Sequence, residues 1–211
     1  MIKEKNMEQS EKMILSSMYV SQIIGSESME LIKEKSMLPD DIINSKIDGL
    51  IKNQLVNEDR KTLTEIGRSS LHIVLAGGVF DIIHPGHIHT LNAAKALGDV
   101  LVVVVATDST AVKMKKRSPI HDQEQRQELV NSLSIVDICL IGQEDDIFKT
   151  VNLVRPQIIA LGYDQTHQEK FITDGCKRIK LDAKVARLQS PIPESSSSKI
   201  EKEYGDSIHG I

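Results

Sequence analysis

The sequence predicts an α/β protein in which a parallel sheet, built from residue 71 onward, follows a small α+β unit. Three observations carry that prediction. Val100-Leu101-Val102-Val103-Val104-Val105-Ala106 is an unbroken β-prone run, the pattern of a central strand buried on both faces. Shorter apolar runs at 73–76, 136–141 and 158–161 alternate with helical segments, and alternation at that period implies βαβ crossovers. Between the first strand and the first helix of that series lies Gly77-Gly78-Val79-Phe80-Asp81-Ile82-Ile83-His84-Pro85-Gly86-His87.

Taken in order, residues 1–70 read as helices and one hairpin. Apolar positions Met13, Ile14, Met18 and Ile24 mark an amphipathic helix over 7–24. A second short helix follows Ser28, and a third begins at Pro39-Asp40-Asp41, whose acidic residues suit a helix N-terminus. Two β-prone pieces then flank the charged turn Asn57-Glu58-Asp59-Arg60, a hairpin signal. Three helices and a hairpin resemble a winged helix-turn-helix domain. Its ten Lys and Arg against twelve Asp and Glu favour a packing or dimerisation role over DNA binding, which needs clustered cations. The domains expected are 1–70, winged-helix-like, and 71–211.

From residue 71 the series is Rossmann-like. The strand Ile73-Val74-Leu75-Ala76 leads into a glycine bend, and Pro85 stands where the first turn of a helix tolerates it. Ile88, Leu91, Ala94 and Leu97 recur at helical spacing before Gly98. Helices are expected over 123–133, 146–154 and 171–179, with a last weak strand at 185–188. Ligands of such sheets sit at the carboxyl ends of the strands, where strand order switches. The stretches 77–87, Thr107-Asp108-Ser109 and Gly162-Tyr163-Asp164-Gln165 all fall there.

Composition narrows the function. The 211 residues carry a net charge of −4, which gives no whole-protein attraction to nucleic acid or acidic membranes. No apolar run reaches the length of a membrane span, and the N-terminus begins no signal peptide. Cys139 and Cys176 form no metal-spaced motif and fit a reducing compartment, so a cytoplasmic protein is expected.

The chemistry concentrates at His84-x-Gly86-His87. A helix N-terminus offers unpaired N–H groups and the positive end of a dipole to phosphates. Two histidines three apart reach a common group, and Gly86 lets a phosphate approach closely. A metal site from Asp81, His84 and His87 is the less favoured reading. No Gly-Lys-Ser or Gly-Lys-Thr phosphate loop is present, nor a dinucleotide-type glycine fingerprint. Lys113 and its neighbours Lys115, Lys116 and Arg117 follow the second strand and can reach incoming phosphates, Lys113 being the candidate catalytic lysine. Arg126 can clamp a phosphate bidentately.

The pattern Gly78-x-Phe80-Asp81-x-x-His84-x-Gly86-His87 resembles the signature of the nucleotidylyltransferase superfamily that includes cytidylyltransferases and pantetheine-phosphate adenylyltransferase. The similarity covers residues 71–205. With LGDVLVVVVATDST, QRQELV, DDIFKTV and IIALGYDQ, it is most similar to the archaeal FAD synthase family. That resemblance implies AMP transfer from ATP to FMN with a divalent metal, normally Mg2+; a homodimer is expected. It also implies that His84 and His87 stabilise the triphosphate, while Gly77, Gly78, Val79 and Phe80 shape the nucleotide pocket. Gly162, Tyr163 and Asp164 would lie beside the nucleoside, and Ser196, Ser197 and Ser198 would form a C-terminal phosphate loop. Asp81 would face the acceptor phosphate or order the loop, and Asp108 would face the acceptor. No residue here names a flavin; the aromatic walls available to an isoalloxazine are Phe80, Phe148, Tyr163 and Phe171. The alternatives are another pair, such as CTP with glycerol 3-phosphate or ATP with 4′-phosphopantetheine, and a DNA-binding regulator with a nucleotide-sensing domain.

Overall fold

The computed structural model describes residues 7–162, 165 and 168–189. The chain divides into two compact units, Met1–His72 and Ile73–Ile211.

The first unit is helical. Helix α1 (Gln9–Ile24) starts where the Glu8 amide donates to the Glu11 carboxylate at 3.1 Å and stops at Gly25, whose φ of 70° is left-handed. Helices α2 (Ser28–Ser36) and α3 (Asp40–Lys52) follow. Ile14, Leu15, Met18, Ile32, Ile43, Ile47 and Leu50 form the core, each almost wholly buried. The expected hairpin is reduced to one antiparallel bridge, Val56 to Leu63. The Asp59 carboxylate accepts from the amides of Lys61 and Thr62, both at 2.9 Å, and so diverts into the turn the groups that would extend a ladder. Helix α4 (Glu65–Ser69), not anticipated, is capped by Thr64 Oγ1, which accepts from Gly67 N at 3.0 Å.

The second unit is a five-stranded, wholly parallel sheet of order β3-β2-β1-β4-β5, with β1 (Ile73–Gly78) central. Its other strands are β2 (Val100–Val105), β3 (Ile138–Ile141), β4 (Ile158–Leu161) and β5 (Lys184–Arg187). Helices α5 (Pro85–Lys95), α6 (Asp108–Lys115), α7 (Gln123–Asn131), α8 (Ile147–Val154) and α9 (Glu169–Arg178) make the connections. Val74, Leu101, Val103, Val105, Leu91 and Ala94 are among the residues that close the core.

The structure corrects one local expectation and adds one element. Gly77 and Gly78 belong to β1 and not to a bend, because Val104 and Val105 of the adjacent strand hold them in register. The segment after β2 is a helix, α6, started by Thr107 Oγ1, which accepts from Thr110 N at 3.3 Å. Since all strands run parallel, their carboxyl ends share one edge, and strand order reverses beside β1 and β4.

Candidate functional site

At that edge the chain leaves β1 and turns sharply. Gly78 O accepts from Ala106 N at 2.9 Å, tying the end of β1 to the end of β2. Phe80 follows with a φ of 53°, the left-handed region that a residue with a side chain seldom adopts. The turn presses its ring back over the strand, where a Cβ at Gly78 would stand 2.9 Å from Phe80 Cε2. Glycine is therefore required at 78 for close approach.

The Phe80 ring also meets His87, centroid to centroid at 5.1 Å. His84 caps α5, Pro85 occupies its first turn, and His87 N donates to His84 O at 2.9 Å. The two imidazoles lie 3.9 Å apart and tilted by 31°, so the three-residue spacing does bring them together. Neither Nδ1 atom has a hydrogen-bond partner among the described residues, although both are buried. Burial pushes His87 down to about 4; the neighbouring His84 and then Lys115 push the same way, while a backbone hydrogen bond with Ile82 opposes. Burial and Lys115 lower His84 too. The pair is thus neutral at pH 7, two imidazoles with unused polar atoms at the positive end of a helix.

Lys115, and not the expected Lys113, is the cation whose field reaches both rings. Both lysines are exposed in the last turn of α6, but the helix periodicity turns them about 200° apart.

Asp81 is 1% exposed and orders the loop, the second of the two roles expected of it. Its Oδ1 accepts from Ile120 N at 2.7 Å, Arg117 Nη1 stands 2.7 Å from its Oδ2, and His121 Nδ1 donates to its carbonyl oxygen at 3.1 Å. A carboxylate so enclosed has no face to offer an acceptor.

Arg126 is likewise corrected, from a phosphate clamp to an internal strut. Its side chain has no exposure; Nη1 donates to Val79 O at 2.7 Å, Nη2 to Asp108 Oδ1 at 2.7 Å, and Nε to His121 O at 3.0 Å. Three segments of the site edge are thereby fixed to one guanidinium. Asp108, whose side chain is 45% exposed, keeps solvent access beside it.

On the other flank Gly162 N donates to Gln165 Oε1 at 2.9 Å, and Gln165 Nε2 to Gly77 O at 3.5 Å, so the loop after β4 meets the end of β1. Tyr163, Asp164, Ser196, Ser197 and Ser198 lie outside the described residues. Among the described residues no group of three or more His, Cys, Asp or Glu is placed to hold a metal ion. His121 was not foreseen as part of the site, and its local sequence holds no signal for it: it acts on a segment 40 residues away.

A cytidylyltransferase-like family model matches residues 75–203. The chain is 49% identical over 125 residues to the FAD synthase of Picrophilus torridus, covering 59% of this chain and 89% of that protein. To the FAD synthase of Aciduliprofundum boonei it is 47% identical over 134 residues, 64% of this chain and 80% of the relative. Among solved structures it is similar to the lipopolysaccharide core biosynthesis protein of Thermoplasma volcanium, with a TM-score of 0.54 at 44% identity over 57% of this chain and 98% of that one.

Proposed function

This chain belongs to the cytidylyltransferase-like family, and from that premise we propose that it is an FMN adenylyltransferase, joining AMP from ATP to the phosphate of FMN with release of pyrophosphate. The observation that carries the chemistry is the His84–His87 pair, 3.9 Å apart at the N-terminus of α5 and the carboxyl end of β1. The acceptor rests on relatives named FAD synthase at 44–49% identity.

The attacking group is a phosphate oxygen of FMN, already ionised because a phosphate monoester loses its second proton near pH 6, at roughly the physiological range. It forms a bond to the α-phosphorus of ATP as the bond to the pyrophosphate oxygen breaks. No proton has to be removed, so the protein's work is positioning and charge stabilisation. His84 and His87, with the free N–H groups of α5, would donate to the triphosphate, and Lys115 would add a positive charge beside them. A bound triphosphate would raise both imidazoles toward the charged form, strengthening those bonds as charge moves to the leaving group. Mg2+ would enter with ATP as part of the nucleotide substrate. The described residues offer no ready cage for it.

The first unit fits a winged-helix-like packing module, and the whole protein a cytoplasmic homodimer. Supporting the packing role, Lys33, Lys46, Arg60 and Lys61 are each paired with a carboxylate: Asp40, Glu8, Asp48 and Glu27. Cys139 and Cys176 are buried free thiols, and no helix among the described residues is long and apolar enough to cross a membrane. Sedimentation of the whole protein tests the homodimer, and a DNA-binding titration over salt concentration tests the packing role.

The activity is tested by pyrophosphate release with MgATP and FMN against MgCTP and glycerol 3-phosphate. Release with the first pair alone, with FAD appearing in step, is expected. Release with the second pair alone overturns the assignment.

A further inference from the structure

The substrates proposed above each carry a flat heteroaromatic ring, and few side chains can receive one. The chain holds three phenylalanines, three tyrosines and no tryptophan. Phe80 is 6% exposed, buried between the end of β1 and His87, and Phe148 is 5% exposed. Phe171 is 55% exposed.

A single exposed apolar side chain is ordinary on a protein surface. Phe171 differs in how firmly it is held. Residues Phe171, Gly175 and Arg178 stand at helical spacing and share one face of α9. That face grips the Phe148 ring: a Cβ at Gly175 would lie 1.7 Å from Phe148 Cζ, and the Arg178 guanidinium sits 5.4 Å from the ring centroid. The Phe171 ring meets the Phe148 ring in a tilted contact, centroids 5.5 Å apart and planes at 57°. Phe171 thus rests against Phe148 while 55% of it stays open, so accepting a ring costs less side-chain entropy than it would for an unsupported side chain.

Position agrees with this. Phe171 lies in the first turn of α9, and Phe148 in the first turn of α8, so both stand near the sheet edge that carries the strands' carboxyl ends. Gln168 N donates to Gln165 O at 3.0 Å, and Gln165 in turn reaches Gly77 O, which chains the start of α9 to the end of β1.

We propose that Phe171 is the stacking platform of the substrate cleft, receiving one face of the isoalloxazine of FMN or the adenine of ATP. This rests on the adenylyltransferase reading, and two kinds of measurement separate their failures. Initial rates of FAD formation are recorded against FMN and against ATP for wild type, Phe171→Ala and Phe171→Trp. Leu153→Ala serves as the control, an exposed apolar side chain of α8 at 56%. Direct binding is followed by quenching of FMN fluorescence and by calorimetry with a non-hydrolysable ATP analogue.

Phe171→Ala is expected to raise one KM and the matching Kd roughly tenfold, the effect of one lost ring stack, with kcat changed less and Phe171→Trp near wild type. A shift confined to FMN identifies the isoalloxazine as the stacked ring; a shift confined to ATP identifies adenine. If both affinities stay within about twofold in Phe171→Ala while the melting temperature is unchanged, the platform is overturned even though the enzyme makes FAD. If wild type makes no FAD, the functional reading fails, and the platform stands or falls on the two binding titrations alone.

Discussion

Arg126 donates to the carbonyl oxygen of Val79 at 2.7 Å from a side chain with no exposure to solvent. That bond fixes the residue just before Phe80, the left-handed turn on which His87 leans. Replacing Arg126 with Met keeps the bulk but strands the oxygens of Val79, His121 and Asp108. The expected loss is about 2–4 kcal/mol of stability, below the full cost of a broken buried ion pair because Asp108 can turn to water. Urea denaturation measures it, and an unchanged midpoint refutes the strut.

Substituting His87 by alanine removes a donor from the point where charge shifts in the transition state. Turnover is expected to fall by roughly two to four decades, with a smaller change in the KM for ATP. Single-turnover pyrophosphate release is the measurement; near-wild-type rates would remove His87 from the mechanism.

Acid should destabilise the free protein through the same side chain. Unfolded, the His87 imidazole takes up a proton near pH 6.5; folded, it does so only near 4. Between those values the unfolded chain binds a proton that the folded chain does not, so stability is full above pH 6.5 and is lost as pH falls toward 4. Denaturation midpoints across that window should decline less in His87→Asn than in wild type. An identical pH slope in the two proteins would contradict the burial of the neutral ring.

Lys115 and Lys113 offer a comparison within one helix turn. Lys115→Ala should weaken ATP and let both imidazoles titrate at higher pH, as its positive charge now opposes theirs. Lys113→Ala should leave the titration where it was. NMR titration of the two histidines distinguishes them, and equal shifts in both variants would return Lys113 to the site.

What the sequence makes legible follows the strength of local signals. Val100–Val105 is readable because a strand buried on both faces must be apolar at every position. The histidine pair is readable because three-residue spacing on a helix start admits little else. Helix α6 escapes notice because Ala111 is its one buried residue, so no apolar stripe announces it. Gly77 and Gly78 read as a bend because glycine favours turns, yet the neighbouring strand extends them. Arg126 looks like a surface arginine in a polar helix; two of its three partners lie 18 and 47 residues away, where no local pattern can reveal them. The loop-ordering role of Asp81 is among the expectations, but its partners, amides 39 and 40 residues further on, are not legible locally.

The central place of β1 also sets an order in time. It is the first strand of its unit to be synthesised, but Val74 finds its second neighbour only in Ile158, and Gly77 receives the Gln165 side chain later still. His84 and His87 therefore leave the ribosome well before the crevice they serve has its other wall. A nascent chain halted short of β4 would contain both histidines and hold no nucleotide, so nucleotide binding reports that the sheet has been completed.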